Sequence, residues 1–357
     1  MDWLTKLKSY FVSESTSKKT KPASTAAKKS TAPIVKGNPN SVKPNEIRMM
    51  TDISDNQIQI NQERSKYIIE TKNPDYKIKQ KDSPASIARK FGVELRTLLA
   101  LNGLDKADTD LSKAIRVGQT LKIPPTRTVK NVKNLNDVAK SMGVSVDFIK
   151  KLKSVEDSAK LKANEFHNTP YKDKAGVLTI GIGHVLKDGE PRKLTNEQVC
   201  ELFAKDLLKM EDNLCVLLGG KKNYDKLPQS MKEALLDMMF NKGSAILEDT
   251  PGLLYCLKAG KYEAAINKFT HNKSMATGKE MSGLSKRRLF DISLATGMYK
   301  GNIPSSILNT MQQVYNRGIE LLRKENPNPQ TFANVLAGYN QDVQSYFGNN
   351  KIKLITK

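Results

Sequence analysis

Apolar positions along the chain change their spacing several times, and each change predicts a different element. In "MDWLTKLKSYFV" the residues Trp3, Leu4, Leu7, Tyr10 and Phe11 share one helical face. That predicts a short amphipathic helix over 1–12, either a frayed terminal helix or a docking peptide for a partner or a membrane surface. The periodicity then dissolves into Ser, Thr, Lys, Ala and Pro, with seven lysines and no acid between Glu14 and Glu46, so residues 13–75 are expected to be a basic flexible linker. Ile-rich pieces such as "IQINQ" within it leave strand and coil open.

Over 76–124 the pattern becomes compact. Tyr76, Ile78 and Gln80 alternate as in a strand, while Ser83 and Pro84 open a helix carrying Ile87, Ala88 and Phe91. Leu95, Leu98, Leu99 and Leu101 make a second helix before "TLKIP" returns as a strand. From 125 to 160, "VAKSMGVSVDFIKKLK" echoes "IARKFGVELRTLLALN" at a shift of 51 residues without a closing strand, which predicts a helical hairpin serving as a connector. In 161–300 the run "VLTIGI" alternates between the turns "DKAG" and "KDGEP" and reads as a hairpin strand. Thr195 then starts a helix with Val199, Leu202, Phe203 and Leu207 on its apolar face. Residues 301–357 carry two more helical patterns separated by "ENPNP". The fold class expected is α+β.

Composition narrows the chemistry. A net charge of +22 over 357 residues points to a polyanionic partner such as nucleic acid, anionic lipid or an acidic wall polymer. No arrayed aromatics or recognition motif accompany the lysines, so no specific nucleic acid is expected. No apolar run approaches the roughly 18–20 residues of a membrane span, and the N-terminus makes a poor signal peptide. Cys200, Cys215 and Cys256 show no CxxC spacing and read as reduced thiols. His167, His184 and His271 have no partner at a metal-ligand spacing, so neither metal nor cofactor is expected. Gly181 and Gly183 are followed by no helix, which argues against a phosphate-cradling loop.

The segments "YKIKQKD", "IARKFGV", "LLALNGL" and "VGQTLKIP" in that order resemble the LysM family, whose members bind peptidoglycan and chitin. The resemblance implies a β-α-α-β domain with Asp82, Ser83 and Ile115 at its sugar groove. Lys81 stands where the family usually has Gly, and the segment between Leu104 and Gly118 is longer than usual.

Ahead of the hairpin, "NEFHNTPYKDKAGVLTIGIGH" offers Glu165 near an expected helix end, then Asp173 and Thr179. A protonated carboxyl to protonate a leaving oxygen and a second polar group to hold water are what glycoside hydrolysis needs. Together with "LTNEQVCELFAKDL", "LPQSMKEALLDMMFNKG", "GLSKRR" and "LATG", this stretch resembles the phage-type lysozymes, a mainly helical fold with a small β-hairpin. The resemblance implies Glu165 as general acid, Asp173 as the carboxylate that handles water, Thr179 as the hydroxyl that orients it, and inversion at the anomeric carbon. It also implies Asn241 in the sugar groove and Arg287 or Arg288 reaching carboxylates of peptidoglycan. The family usually has Glu-Gly and nine positions from Glu to Asp, whereas here Glu165-Phe166 stands eight before Asp173. Glu156 lies too far upstream for that spacing. His184 is expected to be structural, paired with Asp206; Tyr171 and Phe240 read as core aromatics.

The function expected is a muramidase with LysM-mediated wall binding. A lytic transglycosylase and a wall-binding virion component, with tail or baseplate proteins as partners, are the alternatives. Host cytoplasm before lysis and the virion are both open as locations, with the LysM domain and terminal extensions favouring the virion.

Overall fold

The polar stretch expected to be linker up to residue 75 takes on structure from residue 57 onward. This computed structural model describes residues 57–104, 115–156, 161, 165–173, 176–274, 277–348 and 351–356. The helix expected over 1–12 and the linker up to residue 56 lie outside the described residues. Residues 57–64 are helical and end on Arg64, which is only 6% exposed. The cause is a carboxylate far along the chain: Arg64 Nη2 donates to both oxygens of Glu211 at 2.8 Å, and its Nε donates to the Ser141 carbonyl at 2.9 Å. The helix also fits a gap left by a missing side chain, because a Cβ on Gly143 would stand 2.5 Å from Ile60 Cγ2.

Strand β1 (Ile68–Thr71) follows, then β2 (Tyr76–Lys77), α1 (Pro84–Phe91), α2 (Leu95–Leu101), β3 (Thr120–Leu121) and β4 (Thr126–Val129). The pairing is nested. β2 pairs with β3, Tyr76 opposite Leu121, while β1 pairs antiparallel with β4, from Ile68 opposite Val129 to Thr71 opposite Thr126. The β-α-α-β unit therefore sits on a two-stranded stem. Its own core is small: Ile78, Ile87, Ala88, Leu98, Leu121 and Ile123. Ser83 opens α1 with a reciprocal capping box to Ser86, and Gly92 closes it in the left-handed region. Lys81 has φ +69°, which explains why glycine is usual there.

The echo of the module becomes α3 (Leu135–Met142) and α4 (Val146–Glu156). These helices are not a detached connector. Their apolar faces, through Val138, Met142, Phe148, Ile149 and Leu152, share a core with Val199, Phe203 and Leu207 of α5 (Asn196–Leu217). Between α4 and α5 lies a three-stranded antiparallel sheet of β5 (His167–Lys172), β6 (Leu178–Gly181) and β7 (His184–Val185), with β6 in the middle. At 22 residues, capped by Thr195 and Gln198, α5 spans about 33 Å and joins this first core to a second.

The second core gathers α6 (Gln229–Lys242), short helices at Ala245–Glu248, Leu253–Lys258 and Tyr262–Ile266, and α7 (Ser282–Ala295). It also takes in α8 (Ser305–Glu325) and α9 (Pro329–Phe347), whose Ile307, Met311, Tyr315, Phe332, Leu336 and Tyr339 are buried with Leu235, Leu289 and Ile292. The expected boundaries at 160/161 and 300/301 thus do not separate cores.

Glu211 is the buried joint between the upstream segment and α5. Besides Arg64 it accepts from Arg127 Nη1 of β4 at 2.9 Å and from the Tyr224 hydroxyl at 3.4 Å. Burial opposes its charge, but the two guanidiniums outweigh that and bring its pKa down to about 2. The depressed value means the stabilisation is present above about pH 4.5 and lost as pH falls towards 2. Arg64→Met is expected to destabilise the protein at pH 7 by about 3–5 kcal/mol, because it leaves a buried charge short of a partner. Urea unfolding checks this; an unchanged midpoint would contradict it.

Candidate active site

Helix α4 brings a carboxyl to the sheet, but it is not the one the spacing selected. The described part of α4 runs to Glu156, nine residues before Glu165 (165 − 156). Glu165 instead stands exposed in the extended chain just ahead of β5. Both glutamates line one recess of about 10 Å³, with Lys153, Phe166, Gly181 and Ile182. Their environments differ. The Glu156 side chain is only 20% exposed, and its Oε1 accepts from Arg287 Nη2 at 2.8 Å. Burial raises the Glu156 pKa above the usual carboxylate value, opposed by Arg287 and reinforced by the nearby charge of Asp237.

The glycines of "TIGIGH" let the backbone come close to this carboxyl. Gly183 has φ +72°, and a Cβ there would stand 3.0 Å from the Phe240 ring and 3.5 Å from Glu156 Oε2. Phe240 in turn meets Phe203 edge to face at 5.5 Å between ring centres. A side chain at 183 would push between the acid and α6.

Asp173 directly follows β5 and Thr179 lies inside β6, with Tyr171 opposite Thr179 in register. The turn between them fixes both. Val177 N–H donates to Asp173 Oδ1 at 2.8 Å, and the Thr179 hydroxyl donates to the Val177 carbonyl at 3.1 Å. Tyr171 stacks on His167 at 4.0 Å between ring centres.

The two arginines expected to reach substrate are inside the protein. Arg287 donates through Nε and Nη2 to the two oxygens of Asp237, at 2.6 and 2.8 Å, while Nη2 also reaches Glu156. Its pKa is raised because the two acids outweigh burial. Arg288 is fully buried, with Nε 2.7 Å from Asp291 Oδ2, and its Nη2 donates to Asn241 Oδ1 at 3.2 Å. Asp237 has no exposed surface and takes both prongs of the Arg287 guanidinium, whereas burial pushes the pKa of the equally buried Asp291, beside Arg288, well up. The sequence signal for this was Asp237 inside the apolar run "ALLDMMF". Asn241 is half-buried against Arg288.

In the β-α-α-β module, Asp82 accepts from the Tyr76 hydroxyl at 2.9 Å and from Lys79 N–H at 2.7 Å. Ser83 caps α1, and Ile115 packs on the module's small core. All three have local structural work. Among the described residues no group of three or more His, Cys, Asp or Glu could hold a metal ion, and no helix is long and apolar enough to cross a membrane. Cys200, Cys215 and Cys256 are free thiols.

Residues 162–290 match the phage lysozyme family model, and residues 76–124 match the LysM domain model. The endolysin of Salmonella phage P22 is 32% identical over 152 residues, covering 41% of this chain and 93% of the relative. The chain belongs to the phage lysozyme family. The SAR-endolysin of Bacteriophage PS119 is 32% identical over 122 residues, covering 33% of this chain and 68% of that relative. A crystal structure of a P22 lysozyme mutant is 26% identical, covers 42% of this chain and 96% of its own, and has a TM-score of 0.32. Phage lysozyme and LysM domains together make the protein a peptidoglycan hydrolase that binds the wall through its LysM module. The family match starts six residues after Glu156 (162 − 156).

His184, at the end of the glycine stretch, opens β7 and is buried. Its Nδ1 is 2.7 Å from Asp206 Oδ2 and its Nε2 is 3.1 Å from Glu190 Oε2. Burial alone would lower its pKa, but the bonds and charges of Asp206 and Glu190 raise it. A raised histidine contributes stability that is fully present below about pH 6.5 and lost as pH rises through its folded value. Asp206→Asn is therefore expected to cost about 1.5–3 kcal/mol at pH 5.5 and clearly less at pH 8.5. Urea unfolding at the two pH values tests this, and equal losses would contradict it.

Proposed function

We propose that the protein is an inverting muramidase whose general acid is Glu156. The bond cleaved is the β-1,4 linkage between N-acetylmuramic acid and N-acetylglucosamine. The observation carrying this reading is that Glu156 combines a largely buried side chain, a raised pKa and close approach to the glycine-lined strand end. An acid that must hold its proton near neutral pH needs such surroundings. Glu165 stands exposed at the rim of the same recess. On this reading the chain from acid to Asp173 is 17 positions (173 − 156), eight longer than the family's usual nine.

The chemistry then follows from the named groups. Glu156 gives its proton to the leaving glycosidic oxygen, while a water attacks the anomeric carbon from the opposite face. Asp173, its carboxylate fixed by the Val177 N–H, takes the proton from that water. Thr179, whose hydroxyl hydrogen is directed to the Val177 carbonyl, offers its oxygen lone pairs to the water's other hydrogen. Arg287, anchored by Asp237, keeps the Glu156 side chain in one orientation.

The relatives' names support release into the wall at host lysis rather than carriage on the particle. Immunodetection on purified particles separates the two, since a lysis enzyme is absent from them.

Turbidity clearing of purified peptidoglycan tests the acid. Glu156→Gln is expected to lower the rate about 10²–10⁴-fold, and Glu165→Gln to stay within a few-fold of wild type. The opposite ranking would move the assignment back to Glu165. Products with anhydro ends in place of reducing ends would rule out hydrolysis.

A further inference from the structure

A LysM module on a flexible tether needs no fixed contact with its enzyme, yet this one is held at its neck and through α2, which packs against α5. At its neck, Asn73 Nδ2 donates to the Pro124 carbonyl at 2.7 Å and to Thr126 Oγ1 at 2.8 Å, closing the two strands of the stem where the module leaves them. Thr126 Oγ1 donates in turn to the Phe91 carbonyl at 3.0 Å, which ties the stem to α1. Arg127, one residue further along β4, is anchored to Glu211 and Asp212 of α5. The module thus has a pivot with almost no slack.

The second place is on α2. Arg96 makes a two-pronged pair with Glu248, Nη1 to Oε1 at 2.6 Å and Nη2 to Oε2 at 2.9 Å, and Nη2 also reaches Ser244 Oγ at 3.3 Å. Ser244 and Glu248 belong to the segment directly after α6. Phe240, at the end of α6, rests beside Gly183 and so beside Glu156. Eight residues (248 − 240) connect the grip on the module to Phe240. Asp82 and Ser83 lie in the turn before α1, outside the pair that α2 makes with Glu248.

We propose that Arg96 and Glu248 form a latch that fixes the LysM module relative to the catalytic recess, so that both engage one peptidoglycan surface at once. Arg96 and Glu248 are positioning residues in this scheme, and the scheme rests on the peptidoglycan-hydrolase reading of the recess. Holding two weak sites in one geometry removes the ordering cost that a free tether would impose at each encounter. The latch side chains are about one-third exposed, 32% for Arg96 and 37% for Glu248. Salt therefore weakens the latch while the buried pivot at Arg127 holds.

The test is a charge exchange in the full-length protein. At low salt, Arg96→Glu and Glu248→Arg are each expected to raise KM on intact sacculi about 3–10-fold with kcat unchanged, and the double exchange to restore it. The difference should fade near 0.5 M salt. On soluble glycan fragments too short to reach the module, all variants should match wild type. Unchanged KM in the single variants, or no recovery in the double exchange, would overturn the latch. Sedimentation with sacculi in a Glu156→Gln background reads the same three variants without turnover. If the wild type hydrolyses nothing, the catalytic reading fails while this binding series still decides the latch.

Discussion

A carboxylate taken wholly out of water dictates much of this architecture. Glu211 sits in the middle of the long helix α5, and its charge can remain there only because two guanidiniums arrive from outside the helix. One comes from the helical stretch ending at Arg64, the other from the strand that carries Arg127. Both belong to sequence upstream of the stretch that matches the lysozyme family, so the folded enzyme begins well before that match does. The pair of arginines also orients the stem, and through the stem everything mounted on it.

The same logic recurs at the recess. Asp237 is buried on α6 and recruits Arg287 from α7, and the remaining reach of that guanidinium is used on Glu156. A single side chain thereby links two core helices to the end of α4. The acid is held by an arrangement whose first purpose is to neutralise an aspartate. This explains why Glu156 can sit beside a cation and still have a raised pKa: burial dominates, and the opposing Arg287 is shared with Asp237, whose own charge adds to the rise.

Elements whose partners are close in sequence were legible from the chain. The alternation and capping signals around Ser83 and Thr195 mark local structure, and the glycine run around Gly181 and Gly183 marks a strand between turns. What escaped was non-local. β1 finds its partner β4 more than fifty residues on, and nothing in "IIET" announces it. Arg287 and Arg288 look like contacts to substrate until Asp237 and Asp291 are known to be buried. Counting back from Asp173 assumes a loop of fixed length, and that assumption selected Glu165 over the largely buried Glu156 of α4. His184 and Asp206 were easier because a helix phase places the aspartate on the right face.

The nested strands carry an evolutionary consequence. Thr71 and Thr126 face each other across the end of the stem, where paired Cα atoms stand about 5 Å apart. A domain whose own termini emerge that close together could be grafted at this position without cutting either hydrophobic core. The stem thus works as a socket: wall specificity could be exchanged between lineages by swapping what is plugged into it, while Glu211 and its arginines keep the catalytic body assembled.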